Sequence, residues 1–245
     1  MTSAIKPKVG PTKKGPAEKF LLVFLLDRSG SMASCYDATV SGFNEYVHAQ
    51  QREQIGDASM TLVQFDLNGD EPVCQTCYST TKLSKVGDLG SKSNPYQPRG
   101  STPLFDAVGQ TIVSTDQVAS QYANVLFIIQ TDGYENASRE FSQRQVSQMV
   151  NARREASWDF VFLGADIDAY SVGETLSVPA DNTLSYRSVS QSAEAFASLS
   201  RSTTRYRRRG GRSRGVTEAL PDAPVIRPPS ARGPLRPGPA RNDPK

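Results

Sequence analysis

Two aspartates and three hydroxyl residues stand out for their chemistry: Asp27, Ser29 and Ser31 in Asp27-Arg-Ser29-Gly-Ser31, Thr102 in Arg99-Gly-Ser-Thr102-Pro, and Asp132 in Thr131-Asp132-Gly133. Residues two apart in an extended segment point the same way, which puts Asp27, Ser29 and Ser31 on one side. Gly30 lets the chain turn there without a side chain in the way. All five present hard oxygen. Magnesium asks for near-octahedral oxygen at about 2.1 Å, retains waters and takes one or two carboxylates. Two acids and three neutral hydroxyls suit it and leave the ion under-neutralised, open to a carboxylate from another molecule.

These residues are far apart along the chain, so a scaffold must gather them. Phe20-Leu-Leu-Val-Phe-Leu-Leu26 and Val125-Leu-Phe-Ile-Ile129 are short, continuously apolar runs, as in strands buried on both faces of a parallel sheet, and each runs toward an aspartate, Asp27 and Asp132. Tyr36, Val40, Phe43 and Val47 predict a helix that stops near Gly56; Leu104, Val108, Thr111 and Ile112 predict a second, beginning just after Thr102. Thr61–Phe65 and Val73–Thr80 read as strands joined through Asn68-Gly69, an antiparallel pair at one edge. Val146, Met149, Val150 and Arg153 mark a third helix, Asp159–Leu163 a strand, Thr183–Tyr186 a weak strand, and Ala193, Phe196 and Leu199 a last helix. Strands alternating with helices give an α/β class with a mostly parallel sheet covered on both faces. Ligands of such sheets collect beyond the carboxyl ends of the strands, where the five oxygen donors fall. Asp66, Asp106, Asp166 and Asp168 fall near the same rim, where solvation or capping explains them.

The charge is unevenly spread. Residues 1–19 carry a net +4, 20–200 a net −10 and 201–245 a net +9. Both basic ends are poor in large apolar residues, and eight of the 25 residues from Pro221 onward are proline, so the expectation is a domain over 20–207 between disordered segments at 1–19 and 208–245. Arg205, Arg207, Arg208, Arg209, Arg212 and Arg214, with Tyr206 among them, have the composition of an arm that binds nucleic acid or another polyanion. A solvated basic tail explains them equally well.

Three cysteines, Cys35, Cys74 and Cys77, argue against a disulfide scaffold and for a reducing compartment. Cys74 and Cys77 have half the spacing of a zinc site, but no second pair completes it, and on a strand they face opposite sides. The apolar run at 20–26 is too short for a membrane span and is interrupted by Asp27 and Arg28 before any cleavage site, which favours a cytoplasmic protein. His48, the only histidine, falls on a predicted helix face. No phosphate loop and no nucleophile turn is present.

Asp27-x-Ser29-x-Ser31, Thr102 and Asp132-Gly133 resemble the metal-ion-dependent adhesion site (MIDAS) of von Willebrand factor A domains. Leu26–Met32, Pro98–Val108, Gln130–Ser138 and Phe160–Ala165 extend the resemblance to bacterial and phage intracellular A-domain proteins across most of 20–207. The resemblance implies a Rossmann-like three-layer fold whose six-stranded sheet has one antiparallel edge strand, and a magnesium or manganese ion bridged to a partner's Asp or Glu. It also implies that Ser29 and Ser31 ligate the metal directly, Thr102 directly or through water, and Asp27 and Asp132 directly or one shell out. The cysteine pair in Glu71–Cys77 departs from the family pattern, far from these residues. The expected function is metal-dependent protein binding without catalysis, with no membrane partner. A nucleic-acid-associated protein that uses the arginine arm is the alternative, and a magnesium-dependent hydrolase the third.

Overall fold

The computed structural model describes residues 19–53, 55–69, 71 and 73–211. β1 (Lys19–Asp27) occupies the middle of a six-stranded sheet, which is why its sequence is apolar without alternation. Leu22, Phe24 and Leu26 pack into one core, and Leu21, Val23 and Leu25 into the other. The sheet also contains β2 (Asp57–Phe65), β3 (Cys74–Lys82), β4 (Asn124–Thr131), β5 (Trp158–Ala165) and β6 (Thr183–Tyr186), in the order β3-β2-β1-β4-β5-β6. β3 runs antiparallel to β2, and all other neighbours are parallel.

Helices α1 (Tyr36–Arg52) and α5 (Val189–Arg208) cover one face through Phe43, Tyr46, Phe196, Leu199 and Tyr206. On the other face lie α2 (Leu104–Ala119), α3 (Gln143–Glu155) and α4 (Ala169–Thr175), through Leu104, Val108, Val146, Val150 and Val172. The expected three-layer α/β architecture is therefore present. From β1 the chain proceeds to β2 on one side, while β4 joins on the other. The crevice at that reversal is where open sheets of this kind place ligands.

Several expectations change in detail. α4 escaped the sequence because it has only seven residues; Asp168 caps it by accepting from the Ser171 N–H at 3.2 Å. α1 ends at Arg52, ahead of Gly56, whose φ is +61°. Lys19 is the first residue of β1 and Arg208 lies in α5, so both belong to elements expected to exclude them. Residues 209–211, also expected to be disordered, form the turn that closes α5, where Arg209, Gly210 and Gly211 N–H donate to the Arg205, Arg207 and Tyr206 carbonyls; the rest of the two basic ends, 1–18 and 212–245, lies outside the described residues. Cys74 and Cys77 pack toward opposite cores as the strand period requires, and all three thiols are free. Among the described residues, no helix is long and apolar enough to cross a membrane.

Candidate metal centre

Parallel pairing sets Leu26 beside Gln130, so the next residues, Asp27 and Thr131, emerge together at the carboxyl edge. Asp27 is fully buried. One carboxylate oxygen accepts from the Ser29 N–H at 2.6 Å, and the other from the Thr131 hydroxyl at 2.5 Å. Beyond it, the chain winds into a short 3-10 turn over Gly30–Cys35. The Ser29 and Ser31 hydroxyls lie 3.2 Å apart there, and Ser31 Oγ donates to Asp132 Oδ1 at 2.6 Å.

The loop carrying Thr102 is fastened to this turn by backbone. Arg99 N–H donates to the Arg28 carbonyl at 2.7 Å, and Gly30 N–H donates to the Gly100 carbonyl at 3.0 Å. Leu67 and Ser101 exchange two backbone bonds of 3.0 Å. Gly100 has a φ of +67°, and a Cβ there would lie 2.3 Å from the Leu67 carbonyl oxygen, so only glycine permits this approach. Thr102 N–H donates to Asn136 Oδ1 at 2.9 Å, and Asn136 N–H returns to the Thr102 carbonyl at 3.1 Å. The Thr102 hydroxyl lies against Gly133, where an added Cβ would come within 2.8 Å of it.

Capping does not explain these hydroxyls. The N-cap of α2 is Pro103, and the Phe105 and Asp106 N–H groups are taken by Glu135 at 2.9 Å and Ser138 Oγ at 3.0 Å. Ser29 precedes the 3-10 turn without a side-chain cap bond. The donors that remain are those a hard cation selects: two carboxylates and three hydroxyls. Among the described residues, no group of three or more His, Cys, Asp or Glu could hold a metal, so a cation held at this edge would have to draw on hydroxyl oxygen.

The electrostatics agree. Burial pushes the Asp27 carboxyl up to about 7, against lowering by the Thr131 and Ser29 bonds. Asp132 is raised as well, by burial and by the Asp166 charge, against lowering by Ser31. Arg28, the nearest cation in sequence, turns away to Asp66 at 3.0 Å. Among the described residues, no Lys or Arg forms an ion pair with Asp27 or Asp132, so a bound cation would relieve the desolvation of both.

Solved structures share this architecture. The pilus adhesin SpaC from Lactobacillus rhamnosus GG superposes with a TM-score of 0.59 at 12% identity, over 78% of this chain and 30% of its own. Proximal thread matrix protein 1 from the mussel byssus, solved with a zinc-occupied MIDAS motif, gives 0.55 at 13% identity, over 76% of this chain and 48% of its own. A von Willebrand factor type A protein from Catenulispora acidiphila gives 0.52 at 13% identity, over 77% of this chain and 43% of its own. The chain has the von Willebrand factor A fold. It spans less than half the length of each of these three proteins. No protein-family model matches the chain, and no curated protein sequence does.

In this fold, Asp27, Ser29, Ser31 and Asp132 form one chain of contacts, and Thr102 faces it across Gly133. Three supporting residues went unread in the sequence. Thr131 donates to Asp27, and Glu135 and Asn136 anchor the start of α2. Two of the rim acids have firmer roles than solvation or capping. Asp66 is fully buried between Arg28 and Arg99, and Asp106 accepts the N–H groups of Arg139, Glu140 and Phe141 at 2.7, 2.9 and 2.7 Å. The expected polyanion arm needs correction. Arg205, Arg207 and Arg208 are helical, and Arg207 is buried, donating to the Gln50 carbonyl at 3.0 Å and the Ile55 carbonyl at 2.7 Å. Tyr206 belongs to the core. Arg209 is the C-cap of α5, and Arg212 and Arg214 lie outside the described residues.

Proposed function

We propose that the chain is a divalent-metal-dependent protein-interaction module that binds a partner's Asp or Glu and catalyses no reaction. The observation that carries this proposal is the convergence of Asp27, Ser29, Ser31 and Asp132 through contacts of 2.6 to 3.2 Å at the sheet's reversal point. Thr102 completes the oxygen set. Ser29, Ser31 and Thr102 would hold the ion directly, with Asp27 and Asp132 direct or through water. The ion when bound supplies Lewis acidity toward an incoming carboxylate, and magnesium or manganese suits oxygen donors of this hardness. The zinc-occupied motif of the mussel protein supports a divalent cation in this fold.

The chain's own part is to present these oxygens rigidly and to leave one side open. Asp27 and Ser29 are buried, whereas Ser31 is exposed. A binding role fits better than hydrolysis because His48 stands exposed on α1, about 18 Å of helix from its start, and pairs with Asp88 at 2.7 Å. Three free thiols suit a cytoplasmic location.

Titration with magnesium and manganese, read by calorimetry and thermal melting, tests the metal. At a free concentration about 100 times the Kd, stability should rise by about 2.7 kcal/mol, and Asp27→Ala or Asp132→Ala should each abolish the rise. Partner capture should then require metal and be lost with chelator and in both variants. Capture that survives chelation, or a metal shift that survives both variants, would show that this set of oxygens is not the binding site.

A further inference from the structure

The end of the molecule opposite the metal centre carries an open groove of roughly 330 Å³ between the C-terminal turns of α1 and α5. Arg52, Arg201, Arg205 and Arg208 line it, with Glu53 the one acid among its lining residues. Positions 201, 205 and 208 follow the helical period, so α5 presents them as one stripe, while Arg207, one position away, turns into the protein. Arginines near helix C-termini ordinarily offset the helix dipole. Arg208 pairs with Glu53 at 2.9 Å, and Arg52 and Arg201 add two positive charges against about one negative charge from the two helix ends. Arg201 and Arg208 are seven residues apart, about 10.5 Å of helix, comparable to three nucleotide steps of one duplex strand at about 3.4 Å of axis each.

We infer that this α1–α5 groove is a second binding site, one that takes the phosphate backbone of a nucleic acid and works independently of the metal centre. Guanidinium forks match phosphate oxygens in pairs, and such contacts carry affinity without requiring a base sequence. A membrane surface fits less well. Basic elements that lie on lipid also insert apolar side chains, and the large exposed apolar residues described are Val113 on α2 and Tyr134 beside the metal centre.

The test is fluorescence anisotropy of the full chain with labelled single-stranded and duplex oligonucleotides, in chelator and across a salt series. Arg52, Arg201 and Arg208 are exposed, so the triple variant Arg52→Gln, Arg201→Gln, Arg208→Gln should keep the fold, checked by its melting temperature. It should lose about tenfold or more in affinity at low salt, and its log–log salt slope on duplex should be shallower by about 2.7, or 0.9 per contact. Should the triple variant unfold, Arg201→Gln alone should lower the slope by about 0.9, since among the described residues its side chain bonds to Ser198 Oγ in its own helix. Asp27→Ala should bind as the unaltered chain does. No binding at low salt would overturn the inference, as would equal slopes in the arginine variants or loss only in Arg212→Gln, Arg214→Gln. Tighter binding to phosphatidylserine vesicles than to oligonucleotide would overturn it in favour of a membrane.

Discussion

Asp27 and Asp66 leave neighbouring strands at the same edge of the sheet, and both are fully buried, but their surroundings differ. Asp66 lies between two arginines, with Arg28 Nη2 at 3.0 Å and Arg99 Nε at 2.7 Å. Arg99 also pairs with Glu71, and Arg28 with Gln75, so the β2–β3 side is closed electrostatically by the chain itself. Among the described residues, Asp27 is held by neutral donors, Thr131 Oγ1 and the Ser29 N–H and side chain. A buried carboxylate without a countercharge is costly, and the fold supplies one at Asp66 and withholds it at Asp27. The contrast separates a clamp from a socket: Arg28 and Arg99 hold the loops still, and their own backbones, joined by the 2.7 Å bond, carry the Ser29–Ser31 turn and the Thr102 loop.

The largest effect should come from breaking the clamp. Asp66→Ala leaves Arg28 buried without its carboxylate, and removal of one partner from a buried pair costs about 3 to 5 kcal/mol. Denaturant unfolding should show that loss in chelator, and a loss at least as large in magnesium, because the clamp also steadies the loops that carry the proposed ligands. A loss below about 1 kcal/mol would place Asp66 among surface ion pairs and dissolve the contrast.

The socket should respond to pH with the opposite sign from an ordinary salt-bridged aspartate. Burial raises Asp27 from 3.8 to about 7 in the folded chain. Between those values the folded state keeps a proton that the unfolded state has released, so without metal stability falls as pH rises through that window. Full conversion of the shift gives a ceiling of roughly 4 kcal/mol. In chelator, Asp27→Asn should be more stable than the unaltered chain at about pH 8 and little different at about pH 4. Magnesium should reverse the order at high pH, since the ion and the proton compete for the same carboxylate. A difference between the two chains that is independent of pH would mean that Asp27 is not the titrating group.

The gathering of these five residues at one rim was legible in the sequence because each adjoins a strong local signal: a continuously apolar strand before Asp27, another before Asp132, and a Gly-Ser-Thr-Pro run ahead of a helix at Thr102. The clamp was not, because Arg28, Asp66 and Arg99 meet only through strand register and backbone bonds between loops. Thr131 was overlooked for a similar reason, since its role depends on lying beside Asp27 across β1 and β4. At the far end, Arg205–Arg209 has the composition of a solvated arm, whereas α5 packs on α1 through small and polar residues. Gly42 meets the Phe196 ring and Gln50 bonds to the Ser200 carbonyl at 3.0 Å, and Ser202 and Thr203 are buried. An apolar periodicity search has little to detect in such an interface. Tertiary packing, not local preference, decides which arginine faces inward.

A smaller perturbation can test whether Thr102 belongs to the socket. Gly133 does not have a positive φ, so Gly133→Ala brings no backbone strain of that kind, but its Cβ would lie 2.8 Å from Thr102 Oγ1 and must displace that hydroxyl. If Thr102 is a ligand, magnesium affinity should fall about tenfold, or about 1.4 kcal/mol, while partner-independent unfolding in chelator changes less. The decisive measurement is a double-mutant cycle in metal affinity. In a Thr102→Ala background the hydroxyl is already absent, so Gly133→Ala should weaken metal binding little further, and the two losses should fail to add. Additive losses would mean that Gly133 acts by another route, through the Asp132 carboxylate beside it, and that the oxygen set closes with Asp27, Ser29, Ser31 and Asp132 alone.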